Sequence, residues 1–217
     1  MENKSVIFLG LLVVVLLALV FLVDNDESAW PPSYNYSGVD GNIYDFNFTS
    51  VGSNDRHILF YDFRRVTGPG KVVIKPVSIP FRYSPSELEE IPMDDVKDLI
   101  LRSEAIYVTR DYAIDEYTNQ LDGVAMLTFV RVVDDVMDPD MFRIPTGMAI
   151  TSPVEGVDSP VVGCPYANVE ARVIELRPGN ENRIYAEGDY CVIMEFVEPE
   201  DSIKVATKLT YHILGIM

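Results

Sequence analysis

A dense group of carboxylates is the segment of this sequence best suited to chemistry. Asp134, Asp135, Asp138 and Asp140 fall within the stretch VVDDVMDPDMF. Closely spaced carboxylate oxygens are the ligands that Ca²⁺ prefers in proteins. The spacing departs from D-x-[DN]-x-[DN]-G, and the Glu expected at the twelfth loop position is missing. We therefore expect a solvated acidic helix end at these four residues, and a Ca²⁺ site is the weaker alternative.

Cys164 and Cys191 are the only cysteines in the chain. An even, minimal number of cysteines in an exported domain is typical of a single disulfide. Two separate buried thiols, which behave as small apolar side chains, are the alternative. Because no C-x-x-C motif is present, neither thioredoxin-like redox chemistry nor zinc-knuckle spacing is indicated.

Asn35 and Asn47 each begin the triplet N-x-[ST], the acceptor pattern for N-glycosylation. Both follow soon after the apolar N-terminal run described below, where an exported chain is exposed. We therefore predict two glycosylation sites.

Motifs for nucleophilic catalysis and for phosphate or dinucleotide binding are absent from the sequence. It contains no G-x-S-x-G, no G-x-x-x-x-G-K-[ST] and no G-x-G-x-x-G. His57 and His212 are the only histidines, and we expect both to be structural. We predict no catalytic residue and no cofactor. A carboxylate-dependent hydrolase, assisted by Ca²⁺ at the aspartate group, stays as an alternative.

The charge balance bears on the partners. The chain has 34 acidic and 17 basic residues and a formal net charge of −17. Such a chain repels a phosphate backbone, and it has no local basic stripe to offset that repulsion. We therefore predict no nucleic-acid partner.

An uncharged apolar run fills residues 6–23, with the sequence VIFLGLLVVVLLALVFLV. At about 1.5 Å per residue the run spans roughly 27 Å, close to the thickness of a bilayer core. Lys4 precedes it and the acidic segment DNDE follows it, so the positive-inside rule places the N-terminus in the cytoplasm. The run is longer than a secretory h-region and has no A-x-A site, which favours an uncleaved signal anchor.

These features predict three segments: a transmembrane anchor at residues 1–23, a polar stalk at 24–40 and an extracytoplasmic α/β domain at 41–217. Periodicity and turn signals predict the elements of that domain. We expect strands over residues 43–48, 57–64, 71–81, 104–109, 148–151, 171–176, 183–186 and 190–196. We expect helices that start at Ser84 and Pro92 and helices over 115–134 and 199–214. The fold class is α/β or α+β, with one compact mixed-sheet domain that ends in a helix.

The C-terminal quarter adds a resemblance. Its segments GNENRIYAEGDYCVIMEF and KLTYHILGIM join a polar turn, a cysteine, an aliphatic strand and a terminal helix that ends in Leu-Gly-Ile. In these features the chain resembles uncharacterised, single-pass archaeal surface proteins. The resemblance implies an anchored ectodomain with paired cysteines, and it implies no activity.

Taken together, these patterns predict a single-pass protein of the cell membrane whose outer domain is a binding or structural module. Its partners would be the lipid bilayer, through the N-terminal helix, and another surface protein or a second copy of this chain. A pilin-like subunit, in which the apolar helix packs into a filament instead of lipid, is a further alternative.

Overall fold

Two β-sheets and three α-helices make up the part of the chain that the structure describes. The computed structural model describes residues 33–39, 41, 43–50, 57–63, 77–111, 116–134 and 142–217. The chain divides into Met1–Ser33 and Tyr34–Met217, and the elements below belong to the second unit, with Ser33 at its boundary. The predicted anchor at 6–23 lies outside the described residues. Among the described residues, no helix combines the length and apolar character needed to span a bilayer.

The first sheet has four strands in the order β1-β2-β3-β4. They are β1 (Ser33–Ser37), β2 (Ile43–Ser50), β3 (His57–Phe63) and β4 (Val77–Phe81). Strand β3 pairs antiparallel with both β2 and β4. Pro80 lies on the edge strand β4, where a residue without an N–H is tolerated. The range predicted as a polar stalk contains strand β1. Its sequence, SYNYS, alternates small polar and aromatic side chains, a pattern that favours a strand.

The second sheet has five strands in the order β6-β5-β7-β9-β8. They are β5 (Ala105–Arg110), β6 (Thr146–Ile150), β7 (Ala171–Pro178), β8 (Arg183–Glu187) and β9 (Cys191–Phe196). All neighbours pair in parallel except β8, which pairs antiparallel with β9. All six residues of β9 are buried, as expected for a strand that is covered on both faces.

The helices are α1 (Lys97–Leu101), α2 (Glu116–Val133) and α3 (Asp201–Leu214). The predictions over 115–134 and 199–214 are confirmed. The start signal at Ser84 gives only a short 3₁₀ helix, Pro85–Leu88, because Pro92 follows too soon for a longer one. Gly215 ends α3 at a φ of 81°, the left-handed conformation that favours glycine.

One apolar cluster joins both sheets to the helices. The cluster contains residues of the first sheet, of one face of the second sheet, and of α2 and α3. Examples are Phe46, Phe81, Val108, Phe129, Leu176, Met194 and Leu209. The opposite face of the second sheet has a smaller apolar cluster made of Val173, Cys191 and Ile193. The prediction of a mixed α/β domain with a C-terminal helix is confirmed, and the separate four-stranded sheet is an addition to it.

Tyr211 links α3 to the first sheet and provides a test of this packing. Its side chain is fully buried, its ring centroid lies 4.4 Å from that of Phe81, and its hydroxyl donates to the Tyr83 carbonyl at 2.7 Å. Replacing Tyr211 by Phe leaves that carbonyl without its donor.

We expect Y211F to lower the free energy of unfolding by about 1–2 kcal/mol in urea titrations. The matched control is Y166F, because Tyr166 is 66% exposed; a change there should stay within about 0.5 kcal/mol. Equal effects of the two substitutions would contradict the assigned packing.

Candidate functional site

A disulfide fastens the loop between β6 and β7 to the second sheet. Cys164 and Cys191 are bonded, with their Cα atoms 5.4 Å apart, which confirms the predicted pairing. The backbone N–H of Cys164 also donates to the Glu175 carboxylate at 3.1 Å. A crosslink over 27 positions stabilises the fold by roughly 3–4 kcal/mol in the loop-entropy model. The loop is therefore held against the face of the sheet that the helices leave open.

Beside the disulfide, that face carries a charged cluster, which we call the arginine–carboxylate cluster: Glu175, Arg177, Arg183, Tyr185, Glu187 and Glu195. Glu195 is its centre and is only 8% exposed. One carboxylate oxygen accepts from the Tyr185 hydroxyl at 2.9 Å and from Arg177 at 3.3 Å. The other accepts from Arg183 at 2.6 Å. The buried charge of Glu195 is thus fully paired, as a charge in the interior requires.

Arg177 joins the remaining members of the cluster. Its guanidinium donates to the Tyr185 hydroxyl at 2.6 Å and lies 3.5 Å from an oxygen of Glu175. The same group also reaches Glu187 at 3.4 Å. The arginine therefore connects side chains from β7, β8 and β9 and fixes their relative positions on the sheet.

Gly179 makes room for the Glu195 side chain. A Cβ atom on this glycine would lie 2.9 Å from Cδ of Glu195, closer than carbon atoms approach in proteins. The Gly179 N–H donates to the Phe196 carbonyl at 2.8 Å, so the backbone is held at this distance. The turn after β7 thus depends on a glycine for its close packing on β9.

The electrostatics of Glu195 bear on catalysis. Burial acts to raise the pKa of Glu195, but hydrogen bonds from Arg183 and Tyr185 outweigh burial and hold the pKa below its ordinary value of 4.5. A general acid in glycoside hydrolysis needs the opposite, a raised pKa. We therefore expect Glu195 to stay ionised at neutral pH, where its hydrogen bonds join β9 to side chains of β7 and β8.

The aspartate group, a weak candidate for a Ca²⁺ site, is described only at its first member. Asp134 is buried and accepts from the Thr146 N–H at 3.2 Å, so it joins the end of α2 to the start of β6. Asp135, Asp138 and Asp140 lie outside the described residues. Within the described part of the chain, no group of three or more His, Cys, Asp or Glu side chains is arranged to hold a metal ion.

The other predicted site residues are dispersed. Asn35 is exposed on β1, and Asn47 lies on β2 opposite Phe60. His212 contacts the Met217 carbonyl at 3.0 Å and the Asp95 carboxylate at 3.1 Å, which joins α3 to the segment before α1.

A groove of about 250 Å³ lies between β4 and α2, and we call it the β4–α2 groove. Residues 79–82 line one side. Val124, Leu127, Thr128 and Arg131 line the other, at the spacing of one helical face. Ile79 and Phe81 are buried, whereas Leu127 is 42% exposed. The groove is thus mainly apolar, with an arginine on each wall.

Neither the arginine–carboxylate cluster nor the β4–α2 groove was predicted from the sequence, although each leaves a signal in the sequence. Glu175 and Glu195 stand within the apolar strands ARVIELRP and CVIMEF, where a charge needs a partner. The groove is marked by the 124, 127, 128, 131 stripe on α2. Neither signal identifies the partner residues, because these come from distant parts of the chain.

The pKa of Glu195 predicts how stability depends on pH. A lowered pKa in the folded state means that the unfolded chain binds the proton more tightly. The stabilisation is therefore complete well above pH 4.5 and is lost as pH falls through the folded-state pKa. We expect E195Q to lower the free energy of unfolding by about 1–3 kcal/mol at neutral pH.

The difference between the wild type and E195Q should shrink as the pH is lowered, when Glu195 in the wild type takes up a proton. Urea titrations from pH 7 down to the acid limit of folding measure this. E170Q is the matched control, because Glu170 is exposed, and it should follow the wild type throughout. A difference between E195Q and wild type that stays constant with pH would contradict the assignment.

No protein-family model, curated protein or solved structure matches this chain.

Proposed function

We propose that this chain is a single-pass, membrane-anchored binding module whose folded domain faces the outside of the cell. The anchor is the apolar run at residues 6–23, and the binding domain is the folded α/β unit that follows. In this proposal the domain recognises another surface protein, and the helix holds it at the bilayer.

The observation that carries the proposal is the Cys164–Cys191 disulfide. Such bonds persist in oxidising compartments and are rare in the cytosol, where thiols are kept reduced. Cys191 is 1% exposed and belongs to the inner strand β9, so the bond is part of the folded core. A structural disulfide at this place favours an exported domain.

Two sequence features support the same placement. Lys4 before the apolar run and the acidic residues after it favour a cytoplasmic N-terminus and an external domain. The resemblance of the C-terminal quarter to single-pass archaeal surface proteins agrees with this orientation.

The orientation can be tested by labelling cysteines in membrane vesicles. Because Cys191 is buried, the reagents are applied in urea, which exposes it. We expect a membrane-impermeant reductant followed by a polyethylene-glycol maleimide to add two labels to the chain in right-side-out vesicles and none in inverted vesicles. Without reductant we expect no label. The matched controls are C164S/C191S, which should take no label, and S5C in that background, which should be labelled in inverted vesicles alone.

Labelling of Cys164 and Cys191 without reductant, or in inverted vesicles alone, would contradict the proposal. Release of the full chain into the supernatant by alkaline carbonate would contradict the anchor. Filaments in electron micrographs of the extracted chain would replace the anchored module by the pilin-like alternative.

A further inference from the structure

We propose that the β4–α2 groove binds a short, extended segment of a partner protein in which one apolar side chain is flanked by carboxylates. This inference rests on the proposed binding function and names the chemistry of the partner. The groove, its length and its charge carry the argument.

The dimensions of the groove fit a short stretch of extended chain. The last three residues of β4 and the following Arg82 line one wall, and two turns of α2 line the other. Both walls are therefore about 10 Å long, at roughly 3.3 Å per strand residue and 1.5 Å per helix residue. An extended peptide of about three residues covers that length, with its central side chain over the middle of the groove.

The apolar lining favours an apolar side chain at the centre of the bound segment. Ile79 and Phe81 extend from the main core to the floor of the groove, and the partly exposed Leu127 forms its outer rim. An apolar side chain placed there would cover Leu127 and bury its own surface. Pro80 has no N–H to offer at the edge of β4, so recognition depends on the side chain more than on the addition of a strand.

The charges select the flanking residues. Arg82 and Arg131 both line the groove and are exposed, and neither forms an ion pair with any described residue. Two exposed arginines in one groove, neither paired with a described acidic residue, form a local basic pair in a chain with a net charge of −17. Guanidinium groups bind carboxylates through paired hydrogen bonds, so the groove is complementary to acidic residues beside the apolar anchor.

A protein segment suits this groove better than a small amphiphile. At about 250 Å³ the groove is smaller than the roughly 300–1,000 Å³ of typical small-molecule sites, and it opens to solvent along its length. An apolar residue with acids on both sides places one charge near each arginine. A fatty acid has a single carboxylate and leaves one of the arginines unmatched.

The test uses the full chain, with its disulfide intact, in detergent micelles. The probes are fluorescein-labelled seven-residue peptides with three glutamates on either side of a central Leu, Ile, Val, Met, Phe, Tyr or Trp. A second set has lysine in place of glutamate, and a third has alanine at the centre. Fluorescence anisotropy measures the affinity of each for the wild type, R82E/R131E and the control R102E, whose arginine pairs with Asp98 outside the groove.

We expect at least one acidic peptide to bind the wild type and its alanine version to bind more weakly. R82E/R131E should weaken that peptide by about tenfold or more and should strengthen the lysine version, whereas R102E should stay within about twofold. The gain for the lysine peptide shows that the double variant is folded.

Several results would overturn the inference. One is that no acidic peptide binds the wild type more tightly than it binds R82E/R131E. Another is that dodecanoate, a fatty acid used as an additional probe, binds the wild type more tightly than R82E/R131E while none of the peptides does. A third is that the chain dimerises through the groove, with the dimer lost in R82E/R131E. Each of these results leaves the membrane orientation untouched, since the vesicle labelling tests it separately.

Discussion

The burial of β9 on both faces is the constraint on which the rest of this structure depends. One face of the strand contributes Val192, Met194 and Phe196 to the core shared with the helices. The other face places Cys191 and Ile193 under the loop that the disulfide holds, and it places Glu195 against Arg177 and Arg183. A strand in this position must satisfy a thiol and a carboxylate away from water, and the crosslink and the two arginines meet that requirement.

This arrangement separates the stabilising parts of the domain from its open surface. Charged side chains are used inside the arginine–carboxylate cluster, where they pair with one another. On the other side of the second sheet, α2 packs on the core and leaves a stripe beside the edge strand β4. The charged residues that line this groove, Arg82 and Arg131, are both basic in a chain that is otherwise strongly acidic. We therefore infer that the cluster supports the fold and that the β4–α2 groove faces a partner.

Much of the fold was predictable from local patterns, and the site was not. The continuous apolar run in CVIMEF predicts a buried strand, and the turn at Gly188 predicts its pairing with β8. Two cysteines, in a chain that is predicted to be exported, predict their bond. The division of the strands into two sheets depends on pairings between distant segments, which no local period encodes. The same is true of the contact between Arg177 and Glu195, and of the groove that Arg82 and Arg131 both line, which exist only after folding.

The most direct test of the account is a non-reducing peptide map of the protein taken from its native membrane. The account predicts a crosslinked peptide pair that contains Cys164 and Cys191, together with an N-terminal peptide that retains the apolar run. Modification of Asn35 or Asn47 would add independent support for exposure outside the cell. Free thiols at both cysteines, with Asn35 and Asn47 unmodified, would contradict the oxidising compartment and with it the external binding module.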